Sequence, residues 1–228
     1  RMLAPMADEF EFIDWLRGRQ ASSDLVQLAA GDDMAVLKWP LDELLLVAVD
    51  QVLDGVHFDS GIHSPSEIGR KVMNRNLSDC AAMACLPAAA VVSAALPRGE
   101  SMEYAKQLYL GMKEAGEAFD CAIVGGDTGS WDGRLAVSVT VLGRSAGITP
   151  IRRTGAAPGQ RIYVTGPLGG SILGRHMRFT PRVREGRLLG ASGAVRAMID
   201  LSDGLSRDLE HICRESNVGA MLFAEEIP

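Results

Sequence analysis

The sequence lacks the features that would place a chain in a membrane or outside the cell. No stretch approaches the roughly 18 uninterrupted apolar residues needed to span a bilayer. The opening residues 1–19 are acidic and mixed, whereas a signal peptide is basic and then apolar. The four cysteines form neither a CxxC pair nor a dense cluster, which favours reduced, buried thiols over disulfides or zinc. We therefore expect a cytoplasmic protein without a membrane partner.

Excess positive charge is also missing. The chain carries 23 Lys and Arg against 29 Asp and Glu, a formal net charge of -6. A nucleic-acid partner would require a basic surface that displaces counterions from the phosphate backbone. We therefore expect no nucleic-acid partner. Carboxylates that cluster within apolar sequence instead favour hard cations such as Mg²⁺, which prefer oxygen ligands.

The common nucleotide and hydrolase motifs are absent from the sequence. There is no GxxxxGK[ST], because the glycine-rich residues 166–171 lack the lysine. A GxSxG elbow, an HExxH helix and the protein-kinase motif set are missing too. Any nucleotide chemistry must therefore rest on Mg²⁺ and carboxylates.

The hydrophobic periodicity predicts the element order β-β-α-β-α-β-β in the first two thirds of the chain. The predicted strands are residues 34–38, 44–49, 88–96, 121–124 and 135–142, and the helices are 64–84 and 102–119. The first two strands are expected to form a hairpin or lie adjacent to each other. Helices over one face of a sheet give an α+β layer, whose other face needs a partner subunit or another domain.

A domain boundary is predicted near residues 147–159, where Gly, Pro and small residues gather. This gives an amino-terminal domain at 1–147 and a carboxy-terminal α/β domain at 148–228. The second domain is predicted to contain strands at 161–165, 197–199 and 220–223 and a helix at 205–215. A segment of this size usually has a marginal core, and its end directly after a strand suggests an incomplete domain.

Acidic motifs stand at the edges of the predicted elements. An Asp at such a position loses solvation and is tolerated chiefly where a cation or hydrogen-bond donors compensate. Neighbouring glycines let backbone N–H groups approach a phosphate chain. If these motifs converge, they form a site for Mg²⁺ and polyphosphate. The motifs are Gly31-Asp32-Asp33, Val49-Asp50, Asn76-Leu77-Ser78-Asp79, Gly125-Gly126-Asp127-Thr128 and Asp200-Leu201-Ser202-Asp203-Gly204.

Each motif also has a structural interpretation. The motif at Asp33 is typical of a turn, and the one at Asp127 of a hairpin turn. Ser202 is a candidate N-cap of the following helix. His57 follows the Asp50 strand, although a lone histidine is more often structural. Arg153 suits phosphate through its guanidinium fork, or is a solvated side chain.

Taken in order, the motifs resemble those of thiamine-monophosphate kinases. The resemblance covers almost the whole chain and rests on the joint order and spacing of motifs that are weak individually. Besides the acidic motifs, it is carried by Gly55-Val56-His57-Phe58, Ala81-Ala82-Met83, Arg153-Thr154-Gly155-Ala156, Pro158-Gly159, Val164-Thr165-Gly166 and Ile199-Asp200.

The resemblance implies a fold and a reaction. The amino-terminal domain would be α+β, with a four-stranded sheet that pairs with that of a second subunit to form a barrel. A carboxy-terminal α/β domain, partial in this chain, would follow, with ATP in the cleft between the domains. The reaction would be direct in-line transfer of the ATP γ-phosphoryl group to thiamine monophosphate, giving thiamine diphosphate.

The resemblance also implies site residues, with none catalytic beyond the metal and ATP ligands. Contact with ATP falls to Gly126, Asp127, Arg153 and Ser202. His57 would contact the acceptor. Several Mg²⁺ ions would be held by Asp33, Asp50, Asp79, Asp127, Asp200 and Asp203.

The chain departs from the family pattern at two places. The hydroxyl residues expected around Asp50 are replaced by Ala48, Val49 and Gln51. The downstream Gly-Gly-Glu-Asp segment and an aromatic residue that stacks on the acceptor would lie beyond Pro228. Two alternatives therefore stay open: an ATP-dependent enzyme of the same superfamily with another acceptor, and a catalytically silent paralogue that binds nucleotide or dimerises.

Overall fold

The fold of the first two thirds of the chain is a four-stranded mixed sheet covered on one face by two helices. A computed structural model describes residues 12, 15–19, 23–28 and 34–228. The elements of this fold are β3 (Leu45–Leu53), α1 (Pro65–Ala82), β4 (Leu86–Pro97), α2 (Met102–Glu117), β5 (Ala122–Trp131) and β6 (Ala136–Arg144). The sheet has the strand order β3-β6-β4-β5, in which β4 and β5 are parallel and the other pairs are antiparallel.

Local sequence explains where the two long helices begin. The Ser64 hydroxyl accepts a hydrogen bond from the Glu67 backbone N–H at 3.3 Å, and the Glu67 carboxylate accepts from the Ser64 N–H at 3.1 Å. This reciprocal capping box, with Pro65 at the first helical position, confirms the predicted start of α1. The Ser101 hydroxyl caps α2 in the same way, by accepting from the Tyr104 N–H at 3.1 Å.

The core lies between the inner face of the sheet and the two helices. Val137, Val139 and Val141 alternate inward along β6 and are fully buried. The helices cross closely because each has a glycine at the contact: a Cβ on Gly69 would lie 2.1 Å from the Leu108 carbonyl oxygen, and one on Gly111 2.1 Å from that of Ser66. Larger residues there would force the helices apart.

The outer face of the sheet is only partly covered: Val26, Ala35 and Leu37 pack against the buried Ala89, Ala122 and Val124, and the described residues leave β3 open. Leu45, Val47 and Val49 point outward from β3 and are 52%, 61% and 65% exposed. Apolar residues on the solvent side of a strand indicate a surface that binds another apolar surface. The helix-covered face is therefore confirmed, whereas the other face is open along β3 and covered where Val26, Ala35 and Leu37 pack on it.

Two predictions about strands in this region are wrong. Residues 34–38 and 44–49 do not pair: β2 (Val36–Leu37) pairs with β1 (Val26–Leu28) in a separate small sheet, while β3 pairs with β6. Apolar runs predict strands but not their partners, which are selected by the tertiary fold. The strand predicted at 121–124 continues to Trp131, since Gly125 to Trp131 pair with β4.

Residues 148–228 form helices and loops without a strand. The helices are α3 (Arg175–Arg178), α4 (Val183–Ser192) and α5 (Leu205–Ser216), with 3₁₀ turns at Ser171–Leu173 and Ala224–Glu226. The helix predicted at 205–215 is confirmed. The strands predicted at 161–165, 197–199 and 220–223 are wrong, because no described backbone pairs with them, and Tyr163 is 82% exposed.

Arg187 joins this second region to the first. Its guanidinium donates hydrogen bonds to the carbonyl oxygens of Ala84 and Ser145 from Nη1, at 2.9 and 2.8 Å, and to that of Ala146 from Nη2, at 2.7 Å. Asn74 of α1 adds a bond from Nδ2 to the Phe179 carbonyl at 2.9 Å. The joint between the regions combines these hydrogen bonds with apolar packing, since Met177 belongs to the core of the first region.

Three of the four cysteines lie in the core. Cys80, Cys85 and Cys121 are buried free thiols, and Cys213 is a partly exposed one. The prediction of buried cysteines is confirmed for Cys80, Cys85 and Cys121. Among the described residues, no helix combines the length and the apolar character that crossing a bilayer requires.

Candidate active site

Three of the predicted aspartates come together where the two regions meet. Asp50 lies on β3, Asp79 near the end of α1 and Asp200 in the loop before α5. Burial, followed by the negative charges of Asp200 and Asp50, raises the pKa of Asp79 to about 7. Burial is also the main cause of a raised pKa at Asp200, to which Asp208 and Asp50 contribute. A cation would relieve this repulsion.

Hydrogen bonds fix two of these carboxylates. Ser78, beside Asp79 on α1, donates from Oγ to Oδ2 of Asp200 at 2.9 Å. Arg75, one turn earlier, donates from Nε to Oδ2 of Asp50 at 3.0 Å. The polar side of α1 thus contacts both the sheet and the second region.

The loop after β3 holds His57 in one orientation. Its ring Nδ1 accepts a hydrogen bond from the Leu53 backbone N–H at 3.0 Å, which places the proton of the neutral ring on Nε2. Lys71, only 5% exposed, donates from Nζ to the His57 carbonyl oxygen. Burial, followed by the charges of Arg75 and Lys71, lowers the pKa of His57. The ring therefore presents a neutral N–H donor.

Asp208 organises the loop that carries Ser202 and Asp203. Its buried Oδ2 accepts three hydrogen bonds, from the backbone N–H groups of Ser202, Asp203 and Gly204, at 2.9, 3.1 and 3.0 Å. The cap of α5 is Gly204 and makes no side-chain bond, so the alternative interpretation of Ser202 as the N-cap is wrong. Asp208, in the first turn of α5, binds the N–H groups at the start of the helix instead.

Gly126 and Asp127 lie within β5. The sequence had suggested a turn after a strand at this place. A Cβ on Gly126 would lie 2.0 Å from the Val92 carbonyl oxygen, so the pairing of β4 and β5 requires glycine there. Asp127 is opposite Ser93, which is opposite Ser138. Directly paired residues share a face.

This register places Asp127 on the outer face of the sheet. Ser138 pairs with Gln51 and accepts a hydrogen bond from its Nε2 at 3.3 Å, so one polar row runs across that face from β3 to β5. Asp50 points to the opposite, helix-covered face, where it meets Arg75. The sheet therefore separates Asp127 from Asp50, Asp79 and Asp200 of its own chain.

Arg153 lies near the carboxylates from the second region. Its side chain is exposed, and its positive charge is one of the influences that lower the pKa of Asp79. Its carbonyl oxygen accepts a hydrogen bond from the Ser216 hydroxyl of α5 at 3.0 Å. Asp203 is exposed, 3.9 Å from Nη1 of Arg207. Asp33 lies outside the described residues.

The donor set suits Mg²⁺ more than a tightly caged ion. Within the part of the chain that the structure describes, no three His, Cys, Asp or Glu side chains are grouped closely enough to hold one metal ion together. Mg²⁺ usually keeps several waters and binds one or two carboxylates together with substrate phosphates. Asp79 and Asp200 fit that mode, because both carboxylates are desolvated and the negative charge of Asp50 reaches both of them.

Sequence reasoning missed three residues of this site: Lys71, Arg75 and Asp208. Lys71 and Arg75 precede the predicted Asp79 by eight and four residues on α1, so all three share one face of the helix. That spacing was available in the sequence. Asp208 also had a signal, because it follows Gly204 at the position where a side chain of the first turn reaches back to the loop N–H groups.

Comparison with known proteins first identifies the class of protein to which the chain belongs. Residues 31–145 match the family described as AIR synthase related protein, N-terminal domain. Solved HypE structures share the fold, for example the HypE-HypF complex at TM-score 0.70 and 18% identity, over 81% of this chain and 65% of the other. The class is therefore defined by the sheet and its two helices.

Closer relatives define the family within that class. The thiamine-monophosphate kinase of Rhodopirellula baltica is 44% identical over 227 residues, which cover 96% of this chain and 71% of the relative. The enzyme of Bacillus subtilis is 32% identical, over 97% and 74%. The chain belongs to the thiamine-monophosphate kinase family, which confirms the resemblance.

Solved structures of the family agree with this assignment. The crystal structure of thiamine-monophosphate kinase from Stenotrophomonas maltophilia has a TM-score of 0.80 and 34% identity, over 93% of this chain and 73% of the other. The solved complex of AaThiL with AMPPCP and TMP has a TM-score of 0.71 and 28% identity, over 92% and 70%. The second of these holds AMPPCP and TMP together.

Proposed function

We propose that the chain transfers the γ-phosphoryl group of ATP to thiamine monophosphate, giving thiamine diphosphate. The observation that carries this proposal is the convergence of Asp50, Asp79 and Asp200 at one desolvated site, in a member of this family. The AaThiL complex with AMPPCP and TMP supports the choice of both substrates. We place the reaction in the cytoplasm, with no nucleic-acid or membrane partner.

The proposed roles follow from chemistry and position. The six aspartates at 33, 50, 79, 127, 200 and 203 would hold several Mg²⁺ ions. Bound Mg²⁺ would neutralise negative charge on the non-bridging phosphate oxygens. Phosphoryl transfer requires mainly this neutralisation and the positioning of the substrates. Contacts with ATP fall to Gly126, Asp127, Arg153 and Ser202. The backbone N–H groups around Ser202 are oriented by Asp208, and Arg153 offers a fork to phosphate.

His57 is proposed to contact the acceptor through its Nε2–H. The Leu53 N–H binds Nδ1 of the ring, and Lys71 binds the His57 carbonyl oxygen. The ring is therefore already oriented to donate from Nε2. No residue is assigned as a general base, since in-line attack by an already ionised phosphate needs positioning more than proton removal. The transfer would then be direct, without a phosphoenzyme.

The proposal includes two domains and a dimer. The division is placed between residues 147 and 148, so the carboxy-terminal part at 148–228 is a partial domain. The apolar residues Leu45, Val47 and Val49 on the outer face support pairing of two sheets across a two-fold axis. In such a dimer the outer-facing Asp127 of each subunit would face the partner.

The metal site is tested with Asp79→Asn. We expect loss of Mg²⁺-dependent binding of AMPPCP and loss of thiamine diphosphate formation, with circular dichroism close to wild type and no loss of thermal stability. Asp132→Asn is the control, because that carboxylate is exposed and pairs with Arg98 away from the site. Unchanged nucleotide binding in Asp79→Asn would contradict the metal assignment.

The same titration separates the alternatives for the whole chain. Nucleotide binding together with product formation supports the kinase. Binding of AMPPCP without product from thiamine monophosphate would favour another acceptor, and no binding at all would favour a silent paralogue. Wild-type protein, Mg²⁺ and both substrates are sufficient for this measurement.

The dimer is tested with Val47→Asp, combined with Val49→Asp. Two buried charges at the sheet interface should convert a dimer to a monomer in light scattering at micromolar concentration. Leu188→Asp, at an exposed site on α4, is the matched control and should leave the mass unchanged. A wild-type protein that is already monomeric would exclude the proposed pairing.

A further inference from the structure

Arg75 occupies the centre of the polar face of α1. It lies one turn after Lys71, which holds the His57 loop, and one turn before Asp79. With a rise of about 1.5 Å per residue, each neighbour is about 6 Å away along the helix axis. Arg75 therefore stands between the proposed acceptor contact and the proposed metal ligands.

The guanidinium of Arg75 is fixed at one side and open at the other. Its Nε donates to Asp50 at 3.0 Å, and the side chain is 28% exposed. Among the described residues, the structure shows no hydrogen-bond partner for Nη1 or Nη2 of Arg75. A purely structural ion pair would engage the fork with both carboxylate oxygens, as guanidinium and carboxylate commonly do.

The charges around Arg75 also argue for an anionic ligand. Lys71 is close enough to have its pKa lowered to about 8, first by burial and then by the charge of Arg75. Two cations of one helix face, with the N–H donor of His57 beside them, favour a multiply charged anion over a neutral group. A phosphate monoester has the oxygens that a guanidinium fork matches in pairs.

We infer that Arg75 binds the phosphate of the acceptor, a phosphate monoester, with its free Nη edge while Asp50 holds Nε. This assignment rests on the proposed function and adds the residue that recognises the acceptor's phosphate. Arg153, in contrast, approaches the site from the second region and stays the proposed ATP contact. Arg75 would thus bind the phosphate of the acceptor, and Arg153 would bind ATP.

The test is calorimetric titration of wild-type protein, Arg75→Gln and Arg75→Lys with four ligands. These are thiamine monophosphate, inorganic phosphate, thiamine and AMPPCP with Mg²⁺. We expect Arg75→Gln to weaken binding of thiamine monophosphate and of inorganic phosphate by about 10- to 100-fold, with thiamine and AMPPCP unchanged. Arg75→Lys should show a smaller loss, because it keeps the charge and the pairing with Asp50 but not the fork.

Arg70→Gln is the matched control on the same helix. Arg70 donates to Ser66 and Glu114 on the other side of α1, so its replacement should leave all four affinities at the wild-type level. Arg75→Lys guards against misfolding, since it preserves the ion pair. Thermal unfolding of each variant verifies that the folded protein is being measured.

Each outcome decides the assignment. If wild-type protein binds inorganic phosphate through Arg75 but forms no thiamine diphosphate, the inference stands and the proposed function fails. If Arg75→Gln and wild type bind both phosphate ligands equally, or if neither binds phosphate, the inference is overturned. A loss of AMPPCP affinity equal to that of thiamine monophosphate would also overturn it, because Arg75 would then serve both substrates.

Discussion

The regions 34–145 and 148–228 are held together in different ways. In the first, two helices and a sheet bury an apolar core that includes the fully buried Leu77 and Val139. In the second, few side chains are buried, among them Met177, Val183 and the carboxylate Asp208. The first region has its own apolar core, whereas the second is attached to it by a few buried side chains and by the hydrogen bonds of Arg187.

The difference shows what an apolar segment needs to become a strand. Residues 220–223 and 161–165 are as apolar as several strands of the first region, yet Met221 and Tyr163 are 77% and 82% exposed. A strand is stable only when neighbouring backbone satisfies its N–H and C=O groups and an apolar layer covers one face. The described part of the second region offers neither.

The contrast in burial predicts the largest difference in stability. Leu77→Ala should lower the free energy of unfolding by about 2–5 kcal/mol, since it leaves a cavity in a fully buried site. Leu188→Ala, at a position 72% exposed, should change it by less than about 0.5 kcal/mol. Urea unfolding measures both, and similar losses would remove the distinction between the regions.

The hydrogen bonds of Arg187 predict an intermediate effect. Arg187→Ala should cost about 2–3 kcal/mol, because three carbonyl groups lose a charged donor at a partly buried site. Its helix neighbour Arg184 is exposed, so Arg184→Ala should be close to neutral. Limited proteolysis of residues 148–228 reports the same contact: cleavage should accelerate in Arg187→Ala only. Equal cleavage of the two variants would exclude Arg187 as the joint.

The smallest effect is a pH dependence where the regions meet, at Asp79 and Asp200. The folded-state pKa of Asp79 is raised to about 7, so between its ordinary value and about 7 the folded state binds more protons than the unfolded state. Stability of metal-free protein should therefore fall as pH rises across that window. Asp79→Asn should fall less steeply, and Mg²⁺ should recover part of the loss near pH 7. Parallel curves for both proteins would contradict the shifted pKa.

The sequence predicted most of the first region because its signals are local. The capping box at Ser64, the helical period of α1 and the alternation along β6 each act within a few residues. The pairing of β3 with β6 was not accessible, because it joins residues almost 90 positions apart, such as Gln51 and Ser138. Partner choice depends on the whole fold.

The candidate site was predictable in its composition but not in its geometry. Motif order supplied Asp50, Asp79 and Asp200, which the structure brings near each other. It could not show that the sheet separates Asp127 from them, since that depends on register across three strands. Nor did it supply Arg75, whose pairing with Asp50 links a helix to a strand.

The joint that Arg187 makes has a further consequence for the backbone. Two of the carbonyls it binds belong to Ala84 and Ala146, whose φ angles of 56° and 46° lie in the left-handed region. Alanine in that conformation costs roughly 1–2 kcal/mol relative to its preferred one, and glycine is nearly free of the cost. The backbone is therefore strained at Ala84 and Ala146, and the guanidinium of Arg187 binds the carbonyl groups of both residues. These two positions are where evolution or design could add stability.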